Sequence, residues 1–344
     1  MSVTIKDIAA ALGISATTVS RALKDDVRIS KEVRDRVTKL ARKMGYRPNL
    51  AAKSLVSNRT DAIGFLVDNL SWSFFSELAE CVQNAAERHG YSVLIYSSQK
   101  SAEREKAGVE SFLSRGIDAL LIYATEAKEN ESLYQEWARF DIPVLFFNHF
   151  NHMDVNCVTT DDYEGARKAM RHLMELGHRN IGYIGSKEDS SIKRQRLAAY
   201  RDALAETEFG SGSDDSWVAL EEDDPLYGYR VAKRWFAGSG DKPTAILAQN
   251  DMLAFGVCRA IAELGMRVPD DVSVVGYDDL DTCQSLHPPL TTVKIPLKRL
   301  ADSAMNFLIE QINAGNGKPD DEVRLKTTFS PNLVIRQSTG PVKP

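Results

Sequence analysis

Across the first fifty residues the apolar positions recur at intervals of three and four, whereas from Ala62 onward they gather into short continuous runs. The first period belongs to amphipathic helices and the second to strands buried on both faces. Ile5, Ile8 and Leu12 share one helical face, and Thr4 with Asp7 has the spacing of a capping box at its start. Gly13 supplies the left-handed residue that stops this helix. Ser15 is placed to cap a second helix with Val19 and Leu23 facing inward. A third fits Lys31 to Met44, with Ser30 as its cap, Val33, Val37, Leu40 and Met44 in a row, and Gly45 as its stop. None is long enough to persist alone, so the three must share one small core.

Further on, AIGFLV, YSVLIYSS, ALLIYA and PVLFFN read as strands, interleaved with helices near Phe74 to Arg88, Ala102 to Ser114 and Glu131 to Arg139. The alternation breaks around VNCVTTDD and resumes with NIGYIG, SWVAL, TAILAQN and VSVVGYDD. Two such series predict two doubly wound parallel-sheet lobes, with a ligand site at the carboxyl ends of the strands, in the cleft between them. The stretch LTTVKIPLKRLADSAMNFLIEQI follows the second series and is expected to cross back to the first lobe.

Composition narrows the class. A chain of 344 residues, 43% apolar and 26% charged, is a soluble protein with two or three cores. No run approaches the roughly 18 apolar residues of a membrane helix, and MSVTIKDIAAALG lacks the cationic lead of an export signal, so the expected location is cytoplasmic. The four cysteines form no CxxC pair and read as reduced packing thiols. The net charge of −5 hides an asymmetry: residues 1–60 carry 13 Lys and Arg against 5 Asp and Glu, or +8, which leaves −13 on the remainder. A basic head on an acidic body predicts that the head meets a polyanion.

That expectation explains the second helix, which is short because it is presented rather than buried. A helix entering a DNA major groove needs small or hydrogen-bonding residues near its start, and Ala16, Thr17, Thr18, Ser20 and Arg21 supply them. Arg21 suits a guanine, and Ala16 or the Thr17 methyl a thymine methyl. Alternatively, the hydroxyls only cap a helix in an ordinary bundle.

The run TIKDIAAALGISATTVSRAL, continued by RISKEVRDRVTKLARKMGYRPNLAAKSLVSNRTDAIGFLV, resembles the N-terminus of the lactose-repressor (LacI/GalR) family of bacterial transcriptional regulators. LMELGHRNIGYIG, RLAAYRDAL, LAQNDMLAFGV, VPDDVSVVGYDD and PPLTTVKIPLKRL resemble segments of the same family and of periplasmic sugar-binding proteins. The resemblance implies a small all-α helix-turn-helix head, residues 1–48, and a hinge helix or linker, 49–60. It also implies an α/β periplasmic-binding-protein-like body, 61–344, for effector binding and dimerisation. The expected lobes are about 61–160 with 291–322, and about 161–290 with 323–344.

It also implies partners and residues. The partners are an operator in double-stranded DNA, a small-molecule effector and a second copy of the chain, with no membrane and no cofactor. The DNA set comprises Thr4, Ser15, Ala16, Thr17, Thr18, Ser20 and Arg21 in the head, and Asn49, Ala52, Lys53 and Leu55 in the hinge, where Leu55 occupies the position of a wedge between base steps. Members usually carry arginine where Lys53 stands. The effector set is Asn148, Arg196, Asn250 and Asp278, joined by Trp72 and Phe74. An arginine, a carboxylate and two amides donate to and accept from neighbouring hydroxyls, as a sugar, the first expectation, or a nucleoside or purine, the second, requires; a partner protein is the third. Trp72, Ser73, Phe74 and Phe75 replace a frequent Asn-Pro-Phe-Phe. Asp223 stands for a platform aromatic and His149 for a frequent arginine, so Trp72 is expected to supply the stacking face.

Other classes lack their signatures. There is no GxxxxGK[ST], no GxGxxG after a strand and no GxSxG, so no enzyme is expected. His149, His152 and Asp154 in HFNHMD show no compelling ligand spacing, so no metal is expected. The pairs Asp161-Asp162 and Asp223-Asp224 read as helix starts and exposed turns. A sugar-binding transport receptor shares the body pattern but needs an export signal and no basic head. The tail VIRQSTGPVKP has no heptads, which predicts a dimer without a tetramerising coil.

Overall fold

The computed structural model describes residues 3–46, 59–126, 130–148, 150, 153–187, 190–206, 215–221, 226–238, 240–315 and 324–343. Met1–Thr60 and Asp61–Pro344 are separate compact units.

The head contains α1 (Ile5–Leu12), α2 (Ala16–Leu23) and α3 (Lys31–Lys43). Its ends are built by side chains. Thr4 Oγ1 accepts the Asp7 N–H at 3.3 Å and the Asp7 carboxylate accepts the Thr4 N–H at 2.8 Å, a reciprocal capping box. Gly13 closes α1 at φ +65°, a conformation that a side chain would strain. Ser15 accepts from Thr18 N and Ser30 from Val33 N, capping α2 and α3. Ile8, Val19, Ala22, Val37 and Ala41 are buried together, with Leu23 and Leu40 partly buried against them. Ala22 thus takes the inward position beside Val19 that the period also allowed for Leu23.

Among the described residues the body is two six-stranded sheets covered by helices. In the first lobe the strands are β1 (Ala62–Val67), β2 (Ser92–Ser97), β3 (Ala119–Ile122), β4 (Val144–Phe146) and β5 (Cys157–Thr160), with helices α4 (Ser73–Glu87), α5 (Ala102–Ser114) and α6 (Glu131–Trp137). The second lobe has α7 (Asp162–Glu175), β6 (Ile181–Ser186), α8 (Ser191–Ala205), β7 (Val218–Glu221), α9 (Tyr227–Ala237), β8 (Ala245–Ala248), α10 (Asp251–Glu263) and β9 (Ser273–Asp278). The chain then runs through β10 (Thr291–Lys294), α11 (Leu297–Ala314), β11 (Lys326–Phe329) and β12 (Asn332–Val334). Strand order is β11-β5-β4-β3-β1-β2 in one sheet and β12-β10-β9-β8-β6-β7 in the other. Every pairing is parallel except β10 with β12.

This topology corrects the expected division of the tail. β10 pairs with β9 in the second lobe, not the first, and β11 pairs with β5 in the first lobe, not the second. The chain crosses between lobes after β5, between β10 and α11, and between β11 and β12. Only the helical part of LTTVKIPLKRLADSAMNFLIEQI returns: α11 packs on α4, burying Leu300, Ala301, Ala304, Met305 and Leu308. The apolar pattern reports that a strand is covered, not which sheet covers it. Strands such as β1, with Ile63, Phe65, Leu66 and Val67 fully buried, show why the continuous runs are strands: no face remains for water.

Candidate functional site

On the head, Thr17 and Arg21 are exposed on α2, four residues apart and therefore on one face, with Ser20 half-buried beside them. Ser15 Oγ and Thr18 Oγ1 lie 2.8 Å apart and both serve the cap, while Ala16 leans on the core. The face open to a groove is thus Thr17, Ser20 and Arg21. Thr4 takes part in the α1 box. Asn49, Ala52, Lys53 and Leu55 lie outside the described residues.

In the body the carboxyl ends of β1, β3, β4, β8 and β9 converge with the N-terminal turns of α4 and α8 around one cleft, about 690 Å³ counting the solvent it opens onto. Trp72, Phe74, Asn148, Arg196, Asn250 and Asp278 all line it, together with Glu126, Lys193 and Gln249. Residues more than two hundred positions apart meet there because each series of parallel strands delivers its carboxyl ends to the same side.

Arg196, 6% exposed, is the most constrained of them. Its Nε donates to Asp162 Oδ1 at 2.8 Å, Nη2 lies 2.7 Å from the same oxygen, and Nη1 donates to the Gln249 carbonyl at 2.6 Å. Nη1 stands 3.8 Å from Asp278 Oδ1, and the guanidinium lies over the Tyr277 ring. Burial works against its charge, but Asp162, Tyr277 and Asp278 outweigh it and keep Arg196 a firm cation. Asp278 ends β9 at φ +116°, followed by Asp279 at +61°, a strained pair of the kind that clusters at ligand sites. Burial pushes the Asp278 carboxyl well above the usual range, and Arg196 opposes it.

Two residues escaped the sequence reading. Asp161 caps α7 by accepting from Glu164 N, as a helix start should. Asp162 is the first residue of that helix, as read, but it is 1% exposed and anchors Arg196, which the reading did not foresee. An acid in the first helical turn is ordinary, so nothing local marked Asp162 as a partner of Arg196. Glu126, at φ +57°, reaches from the end of β3 to Ser191 and had no signal, since the contact joins distant segments.

The amides have mixed duties. Asn148 Nδ2 donates to the Ala124 carbonyl at 2.9 Å and to Glu126 Oε1 at 3.0 Å, and its Oδ1 accepts from Ala124 N. Its amide therefore fastens the β3 end. Asn250 Oδ1 caps α10 by accepting from Leu253 N at 2.9 Å. The apolar side is an edge-packed aromatic set: Phe74 and Phe75 centroids are 5.2 Å apart, and Phe75 and Tyr123 4.8 Å. Trp72 is half-buried with Lys100 Nζ 4.6 Å from its ring centre.

His149, His152 and Asp223 lie outside the described residues. Asp154 is 3.4 Å from Arg324 and 4.0 Å from Lys326. Among the described residues no three His, Cys, Asp or Glu groups cluster to hold a metal, and all four cysteines are free thiols. No described helix is long and apolar enough to cross a membrane.

Residues 4–49 match the family described as "Bacterial regulatory proteins, lacI family", and residues 170–339 match the "Periplasmic binding protein-like domain". The chain is 31% identical over 336 residues to the HTH-type transcriptional repressor PurR of Mannheimia succiniciproducens, covering 97% of this chain and 98% of that protein. The chain belongs to the LacI family. It superposes on the lac repressor dimer bound to operator and the anti-inducer ONPF with a TM-score of 0.84 at 26% identity, covering 99% of this chain and 100% of that one. A LacI family transcriptional regulator from Enterococcus faecalis with bound ribose matches with a TM-score of 0.68 at 26% identity, covering 82% and 100%. The protein is a LacI-family transcriptional repressor with a DNA-binding head and an effector-binding body; its relatives are repressors, not enzymes.

Proposed function

We propose that this LacI-family repressor acts in the cytoplasm as a homodimer on a pseudo-palindromic operator and senses a small polar metabolite, a sugar, in the cleft between its lobes. Each head reads one half-site through Ala16 to Arg21, with Thr17, Ser20 and Arg21 as the outward residues, and the paired hinges insert Leu55 at the centre. One observation supports the sensing role above others: Arg196, Asn250 and Asp278 stand on one cleft opposite Trp72 and Phe74. Charged donors and acceptors facing an aromatic wall suit a ring that carries hydroxyls on its edge and C–H groups on its face. Asn148 contributes by holding Glu126. Effector binding resets the lobes and thereby the hinge, by no more than the effector's differential affinity for the two settings.

A purine or nucleoside is the second reading, favoured by the identity to the PurR repressor and by the rings of Phe74, Phe75 and Tyr123. A thermal-shift screen against sugars, sugar phosphates, nucleosides and purines separates the two, because a ligand of the folded state raises the melting temperature. A sugar hit lost in Asn250→Ala and Asp278→Asn supports the assignment. A hit that survives both changes moves the site elsewhere, and no hit at all turns the search to a partner protein.

A further inference from the structure

Glu126 belongs to the first lobe, yet its carboxylate is hydrogen-bonded on the second. Oε2 accepts the Ser191 backbone N–H at 2.7 Å and Oε1 accepts the Ser191 hydroxyl at 2.8 Å. Ser191 opens α8, so this N–H has no partner within the helix and stands at the positive end of its dipole. The contact joins the two walls of the ligand cleft, since Glu126 lines one and Ser190, Ile192 and Lys193 line the other.

The glutamate is held there from behind. Its backbone is left-handed, and Thr125 before it donates its N–H to Glu105 Oε1 at 2.8 Å. Glu105 is fully buried, with Asn130 Nδ2 and the Tyr134 hydroxyl each donating to its Oε2 at 2.7 Å. Asn148 then donates to Glu126 Oε1. An unusual backbone conformation persists only where its surroundings over-determine it, and these four side chains do so.

We propose that Glu126 is a specificity-determining residue of this cleft: it latches the two lobes through Ser191 and keeps anionic ligands off the start of α8. The inference rests on the cleft being the effector site. The wall it guards carries Lys193 and Arg196 as well as the helix terminus, all of which attract carboxylates and phosphates. A tethered carboxylate on that terminus satisfies the donors and repels a second anion. A neutral polyhydroxy ligand, by contrast, donates a hydroxyl to the second lone pair of Glu126 Oε2 and enters without charge repulsion. The chemical class admitted is therefore an uncharged sugar or polyol rather than its phosphate ester.

The test uses the full-length protein with Glu126→Ala, Glu126→Gln and the charge-retaining Glu126→Asp, and inorganic phosphate as the probe. Hydrogen exchange read on peptides spanning Ser191 is expected to quicken at least several-fold in Glu126→Ala and less in Glu126→Asp. Equal exchange in the parent and Glu126→Ala overturns the latch. In thermal shift, Glu126→Gln and Glu126→Ala are expected to gain a phosphate-dependent rise above a chloride control of equal ionic strength, which the parent and Glu126→Asp lack. The same rise in the parent, or none in any variant, overturns the exclusion. Both readouts need no effector, so an error in the effector's identity leaves them intact, whereas the sugar screen fails independently of them.

Discussion

The guanidinium carbon of Arg196 lies 3.5 Å from the centre of the Tyr277 ring while its Nε is bonded to the carboxylate of Asp162. The cation is thus fixed in plane by an acid and in tilt by an aromatic face, and its remaining edge meets Asp278 on the cleft.

Breaking this arrangement from one side leaves a buried charge. Asp162 and Arg196 side chains are 2% and 7% exposed, so Arg196→Ala is expected to cost about 3–5 kcal/mol in urea unfolding. The pair Arg196→Met with Asp162→Asn should recover more than half of that loss while abolishing effector binding. A double variant no more stable than Arg196→Ala would show that the ion pair is not the cause. Gly165→Ala acts from below, because its new Cβ would collide with the hydroxyl of Tyr277, whose ring carries the Arg196 stack.

Arg21 is exposed on the outward face of α2. Arg21→Ala is expected to relax base preference at one position of each half-site by about 1–3 kcal/mol. Competition binding with single-base operator variants measures it, and unchanged discrimination removes Arg21 from the readout.

The Ser15 cap is expected to matter to the head alone. Ser15→Ala removes the acceptor for Thr18 N and should cost about 1 kcal/mol of head stability. Circular dichroism melting of the full chain would show an earlier head transition with an unshifted body transition; a body shift of equal size would contradict separate folding of the two units.

Two buried groups give opposite pH dependence. Burial pushes the Asp251 carboxyl up to about 6, against the Thr292 hydroxyl, Leu280 N–H and Cys283 thiol that donate to it. The folded state therefore takes up a proton that the unfolded state does not, and this contribution to stability falls as pH rises through about 6. His178 is pushed down by burial, beside Thr244, Ser273 and the Gly340 carbonyl. Its contribution is full above the unfolded histidine value of about 6.5 and falls as pH drops through that value towards the lower folded one. Urea midpoints at pH 5 and pH 7 should show the deficit of Asp251→Asn shrinking with rising pH and that of His178→Gln growing. Parallel deficits would assign the pH dependence to other groups.

Much of the head is visible without coordinates because its determinants are local: Thr4 with Asp7, Ser15 with Thr18 and Gly13 are each within three residues of what they cap or stop. Strands such as AIGFLV are visible because parallel strands are covered on both faces. What escaped is what depends on partners far along the chain. β10 and β11 fell to the wrong lobes because covered strands look alike in either sheet. Asp162 does start α7, but its tie to Arg196 escaped because that partner is 34 residues away.

By itself the amino-acid sequence determined the capped three-helix head, its basic charge, the alternation of strands and helices and the strand ends on which a ligand site must form. Those follow from side-chain period, turn chemistry and charge, all of which act within a few residues. Only the tertiary structure decided which sheet each late strand joins and which acid holds Arg196. It also decided that Asn148 fastens its own lobe, and that Glu126 reaches the other lobe at Ser191. These are contacts between segments 16 to 169 residues apart; the packing of whole sheets and helices selects them, and no local pattern encodes them.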